Sequence, residues 1–163
     1  MRKIKEIDKN NSIIHTEIYP TLCNVKYKNN IVLLGVGGNI GDSIRLFHKL
    51  FHYFQRSSIL NILESSIILK NPPFGYLNQS DFYNTTLLVS TKLSAKELLR
   101  YILKVEDYFG RIREFQDGPR TLDIDIILYN NISIKSPKLT IPHPKYRERD
   151  SVQIPMSKMK GLR

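Results

Sequence analysis

Hydrophobic positions in this chain fall into short blocks whose spacing alternates between the period of a strand and that of a helix. Ile31 to Val36 reads as a buried strand, ended by glycines at 35, 37 and 38. Asp42 then stands as a helix N-cap before Ile44, Phe47, Leu50, Phe51 and Phe54, which recur at helical spacing. Ile59 to Leu69 carries a second strand, broken by Asn71-Pro72-Pro73, and Phe82 to Thr91, β-branched and apolar, a third. Ser94 and Glu97 form a capping box ahead of Leu98, Leu99, Ile102 and Val105. Leu122 to Leu128 is a fourth strand, and Ile132 to Ile134 with Leu139 to Ile141 forms a short ribbon.

The order is β-α-β-β-α-β with an additional hairpin. It predicts an α+β, ferredoxin-like antiparallel sheet with its helices packed on one face. Residues 1–30 read as an N-terminal extension of a main domain spanning 31–163. Ile13, Ile14, Ile18, Tyr19, Leu22, Val25 and Tyr27 equip the extension to dock as a strand or hairpin, or to lie as a tail over the main domain. Pro20 argues against one long helix there.

Composition narrows the setting. A length of 163 residues suits one domain, and 41% apolar residues suffice for a core. A lone Cys23 excludes an internal disulfide framework and suits a reducing, cytoplasmic compartment. No apolar run approaches a bilayer span and no signal-peptide core follows the polar start, so no membrane association is expected. The net charge of +10 points to polyanionic partners without choosing among them.

Gly110 to Leu128, GRIREFQDGPRTLDIDIIL, carries the chemistry. In its strand Leu122, Ile124, Ile126 and Leu128 should face the helices, leaving Asp123, Asp125 and Ile127 on the open face. The two carboxylates then lie ~6–7 Å apart at Cα and repel unless a cation sits between them. Hard carboxylate oxygens suit magnesium, and a metal pair can clamp both oxygens of a phosphoryl displacement. Arg111, Arg113 and Arg120 flank them in a loop leading into the strand, and guanidinium forks match phosphate. His143, within Pro142-His143-Pro144, precedes the basic Lys145, Arg147 and Arg149. Asn71-Pro72-Pro73-Phe74-Gly75 is a rigid turn. Phe82 and Asn84 share one strand face and suit a flat, guanine-like heterocycle. Gly35 to Asn39 lacks the lysine of a P-loop; its glycines let backbone approach a bound ring closely.

Together the segments G-G-N, N-P-P-F-G, D-F-Y-N, G-R-I-R, G-P-R-T-L-D-I-D-I and I-P-H-P resemble the 6-hydroxymethyl-7,8-dihydropterin pyrophosphokinase family, from about Ile31 to Met156. The resemblance implies transfer of the pyrophosphoryl group of ATP to the pterin hydroxymethyl oxygen, releasing AMP, a step of folate biosynthesis. It implies two Mg2+ ions on Asp123 and Asp125, with Arg111 and Arg120 also catalytic. Glu106, Arg111, Arg113, Arg120, His143 and Arg149 would serve ATP, with Ile126, Lys138, Leu139 and Thr140 along the adenine. Asn71, Pro72, Pro73, Phe74, Phe82, Asn84 and Asp123 would hold the pterin. A monomer that binds no nucleic acid is expected.

The chain departs from the family pattern at several places. Gln116-Asp117 stands where an Arg-Trp pair is usual, Ser151 where a second pterin-stacking aromatic falls, and Leu103 where a glutamine precedes the helix glutamate. Residues 1–30 are expected to have no counterpart, and the sequence ends at Arg163, ahead of the family's usual C-terminal segment. Two competing readings follow: a basic RNA-binding domain of the same fold, opposed by the acids on the sheet face, and a family member that binds ATP without turnover.

Overall fold

The computed structural model describes residues 1–27, 29–112 and 114–162. Arg113, a candidate phosphate contact, lies outside the described residues. Strands β1 (Lys3–Glu6), β2 (Ser12–His15), β3 (Thr21–Leu22) and β4 (Asn30–Gly38) are followed by helix α1 (Ser43–Gln55). Then come β5 (Leu60–Ser65), β6 (Ile68–Asn71), β7 (Phe82–Thr91), helix α2 (Ala95–Tyr108) and β8 (Asp123–Tyr129). A ribbon of β9 (Ile134–Lys135) and β10 (Thr140–Ile141) and helix α3 (Asp150–Ser157) complete the order.

The main sheet runs β1-β2-β6-β7-β4-β8, with β5 also on β7 and β3 on β5, every pair antiparallel. The single strand expected over Ile59 to Leu69 is divided at Ser66, whose hydroxyl accepts from Thr86 N at 2.9 Å. The bend lets β5 and β6 share β7 end to end.

Both long helices start where the caps predict. Asp42 accepts from Arg45 N at 2.9 Å, and Ser94 with Glu97 closes a complete capping box. Phe47, Leu50, Phe51 and Phe54 of α1 and Leu98, Ile102 and Val105 of α2 pack in one core against Leu34, Val36, Leu87, Val89 and Ile124. The opposite face is not fully open. Leu33, Leu63, Leu88 and Ile127 are covered there by Val152 of α3 and by Met159. Helices thus lie on both faces, the expected pair on one side and α3 on the other. Helix α3 escapes the sequence reading because it is short, has no side-chain cap and carries Pro155 within it.

One expected orientation is corrected. Pairing shifts between Leu33 and Leu34, which face Leu128 and Ile126, so Ile127 is the extra residue of a bulge. Alternation slips by one beyond it: Leu128 packs with Ile127 on the α3 side, and Tyr129 takes the helix side.

Residues 12–22 continue the sheet. Ile13 and Ile14 pair with Leu69 and Ile68, and fully buried Tyr19 donates from its hydroxyl to Phe47 O at 2.9 Å. No helix among the described residues is long and apolar enough to cross a membrane.

Candidate active site

The site begins with strand register. Gly37 of β4 lies opposite both Asp123 of β8 and Asn84 of β7, and Gly35 opposite both Asp125 and Thr86. Neighbouring strands are ~4.8 Å apart, so an acid and an amide face each other ~10 Å apart across a strand that lacks side chains there. The glycines have local reasons too. A Cβ on Gly37 would meet Asn84 Oδ1 at 2.7 Å, and one on Gly38 would meet the Thr121 carbonyl oxygen at 2.5 Å.

Asp123 and Asp125 lie on one face, as period two requires, in unlike surroundings. Asp123 accepts from Arg111 Nη2 at 2.6 Å through Oδ1, while Oδ2 lies 3.1 Å from Arg120 Nε, near enough to pair but not aligned as a hydrogen bond. Arg111 is shared: its Nη1 donates to Glu106. Glu106 is 1% exposed and also accepts from Ile124 N at 2.6 Å; burial outweighs these donors and pushes its carboxyl up to about 7. The Asp125 carboxylate has no hydrogen bond or ion pair among the described residues. Burial, and then the charge of Asp123, push it up to about 6.

The Nε groups of Arg111, Arg120 and Arg149 are buried without a hydrogen-bond partner. Unsatisfied buried donors are costly, at roughly 1–3 kcal/mol each. Three unused guanidinium donors beside a carboxylate that none of them directly pairs suit a polyanion bound with a hard cation. No cluster of three or more His, Cys, Asp or Glu able to hold a metal occurs among the described residues. The carboxylate pair would therefore need phosphate and water oxygens to complete a cation's shell, as magnesium commonly does.

The cleft over this face brings together Asn71, Pro72, Phe74, Phe82 and Asn84 with Arg120, Asp123, Asp125, His143 and Arg149. Asn84 donates to Asn71 Oδ1 at 2.8 Å, which fixes its amide. The Arg120 guanidinium lies 4.7 Å above the Phe82 ring, and that of Arg149 5.6 Å from Phe74. His143 donates its backbone N–H to Ile127 O; burial and then the charge of Arg149 hold its imidazole below the usual range.

Other candidates sit elsewhere. Pro73 lines a neighbouring recess beside Asn10 and Asn11. Ile126 and Leu139 are buried in the core shared with α1 and α2. Lys138 and Leu139 edge a separate groove with Lys96 and Arg100, and Thr140 lies in β10. Neither Glu106 nor Arg111 lines the cleft; Arg111 bridges the Glu106 carboxylate to Asp123, which does.

Two residues in the site were given no role by the sequence. Asn39 accepts from Arg120 N at 3.0 Å and donates to Gln79 Oε1 at 3.0 Å, while Gln79 donates to Asp117 O at 2.8 Å. They tie three loops together, and the only sequence signal is an asparagine directly after Gly37-Gly38. Beside Gln116-Asp117, Phe115 meets Tyr76 edge-on at 5.2 Å and joins two of these loops. Ser151 lines the cleft with Val152, and Leu103 is 45% exposed on α2.

The family model described as 7,8-dihydro-6-hydroxymethylpterin-pyrophosphokinase matches residues 33–161. The 2-amino-4-hydroxy-6-hydroxymethyldihydropteridine pyrophosphokinase of Helicobacter pylori is 39% identical over 148 residues, 89% of this chain and 91% of that protein. A Bacillus subtilis protein of the same name is 34% identical, over 80% of this chain and 78% of its own length. The folic acid synthesis protein FOL1 of Dictyostelium discoideum is 42% identical over 79% of this chain, which spans 19% of that longer protein. Coverage of 89% takes in part of residues 1–30, so that segment does have a counterpart in at least one relative.

Proposed function

Since the chain belongs to the 7,8-dihydro-6-hydroxymethylpterin-pyrophosphokinase family, we propose that the cleft over β4, β7 and β8 is where ATP and the pterin meet. The reaction is transfer of the pyrophosphoryl group of ATP to 6-hydroxymethyl-7,8-dihydropterin, giving the pterin diphosphate and AMP in folate biosynthesis. The single observation that carries the placement is the Asp125 side chain, bound to no hydrogen-bond or ion-pair partner among the described residues, beside three arginines whose buried Nε groups make no hydrogen bond.

In this reading Asp123 and Asp125 hold Mg2+, two ions in all, whose charge when bound offsets that of the triphosphate. Arg111, Arg120, Arg149 and His143 take phosphate oxygens, and Arg113 belongs to the same basic loop. Glu106 orients Arg111. Phe82 offers a ring face to the pterin, and Asn84, held by Asn71, offers its amide to the pterin edge. Pro72, Pro73 and Phe74 close that side. Ile126, Lys138, Leu139 and Thr140 make the adenine side; with Ile126 and Leu139 buried, these two contribute main chain rather than side chains.

The pterin hydroxyl oxygen forms its bond to the β-phosphorus as the bond to the α–β bridging oxygen breaks. AMP leaves with that oxygen, and the hydroxyl proton passes to solvent. A loose phosphoryl transition state makes little demand for a strong base, so positioning and charge neutralisation supply most of the acceleration.

AMP released from ATP, measured with and without hydroxymethyl-dihydropterin and with magnesium present or chelated, tests the reading. AMP formed only when both pterin and metal are present is expected. AMP formation indifferent to the chelator would overturn it.

A further inference from the structure

Glu64 of β5 is 4% exposed and forms no ion pair among the described residues, yet both its oxygens are engaged. They accept from main-chain N–H groups of Lys160 and Gly161, at 2.7 Å each. A carboxylate holding two backbone donors is a charge-assisted contact of the stronger kind. The partner segment is shaped for it. A Cβ on Gly161 would stand 2.9 Å from Glu64 Oε2 and 2.8 Å from Leu88 Cδ2. One residue before the pair, Met159 is 1% exposed among Leu33, Leu63, Leu88 and Ile127, and its sulfur accepts from Thr86 Oγ1 at 3.2 Å.

This segment directly follows α3, and the opening of α3 carries Arg149, Ser151 and Val152 into the cleft wall. Helix α3 has no side-chain cap and an internal proline; it rests on the sheet through buried Val152 and Pro155 and half-buried Ile154 and Met156, and the clamp fastens the chain where the helix ends. We propose that Glu64 is a positioning residue for substrate binding. Its carboxylate clamps residues 159–161 to the sheet, which pins α3 and so fixes the wall that Arg149 and Ser151 present. The proposal rests on reading the cleft as the ATP and pterin site. Asp123 and Asp125 are set by the pairing of β8 with β4, so the clamp acts on binding more than on the chemical step.

Glu64→Gln and Gly161→Ala disturb the same contact from opposite sides. In each, hydrogen exchange is expected to accelerate over residues 150–161 while β4 and β8 keep their protection. The KM for ATP should rise about tenfold, the worth of one charge-assisted hydrogen bond, with kcat within about threefold. The double variant should be little worse than the worse single one, because the two changes share one contact. Unchanged exchange at 150–161, protection lost evenly across the sheet, or faster local exchange with KM unmoved would each overturn the proposal. Exchange is read without substrate, so a parent chain lacking pterin-dependent AMP release would count against the functional reading and leave the clamp to be judged on exchange.

Discussion

At Gly37 a single methyl group would stand 2.7 Å from Asn84 Oδ1. Asn84 would have to leave its 2.8 Å bond to Asn71, and the amide we propose for the pterin edge would lose its orientation. Gly37→Ala is therefore expected to raise the KM for the pterin about tenfold and to leave that for ATP within about twofold, read from initial rates with each substrate varied in turn. The acids and the flat strand between them were legible because strand period and register are local rules: Asp123 and Asp125 two apart, Phe82 and Asn84 two apart. The arginine bridge from Glu106 to Asp123 was not, since it joins a helix to a strand through a residue of the intervening loop. Glu106 suggested a nucleotide contact by its place in the family. It is 1% exposed, and its carboxylate accepts from Arg111 and from Ile124 N.

Among the elements, those with complete local signals read correctly and those relying on tertiary contacts did not. Asp42 and the Ser94–Glu97 box each mark a helix start, and their bonds form as the pattern requires. Ser94→Ala is expected to lower unfolding stability by about 1 kcal/mol in urea with turnover unchanged, since α2 packs on the face away from the cleft. The bulge at Ile127 leaves no mark in an apolar run, and α3 has neither cap nor strong periodicity to announce it. The extension carried enough apolar residues to dock, but sequence alone left open how. Tyr19 is sealed among Phe47, Phe51 and His48, so Tyr19→Ala should cost about 3–5 kcal/mol, a loss visible as a lower denaturation midpoint.

For the whole molecule, element order gave the α+β class and the basic balance pointed to a polyanion; the wall contributed by α3 emerged only from the assembled chain. Folding also sets a pH response. The Glu106 carboxyl, ordinarily near 4.5, is raised to about 7, so the folded state holds that proton more tightly than the unfolded chain. Its stabilising contribution is complete below 4.5 and is lost as pH climbs through 7. Stability by denaturant titration should therefore show a falling component across that window, absent in Glu106→Gln. The carboxylates of β8 are the proposed seat of the metal, and one measurement reaches them directly: pterin-dependent AMP release by Asp125→Ala and by the parent chain as magnesium is titrated. The parent rate should rise to saturation with magnesium, while the variant, with its thermal midpoint no lower, turns over at least about a hundredfold more slowly, some 3 kcal/mol of lost transition-state stabilisation. A folded variant that saturates at the parent's rate and magnesium concentration would contradict that placement.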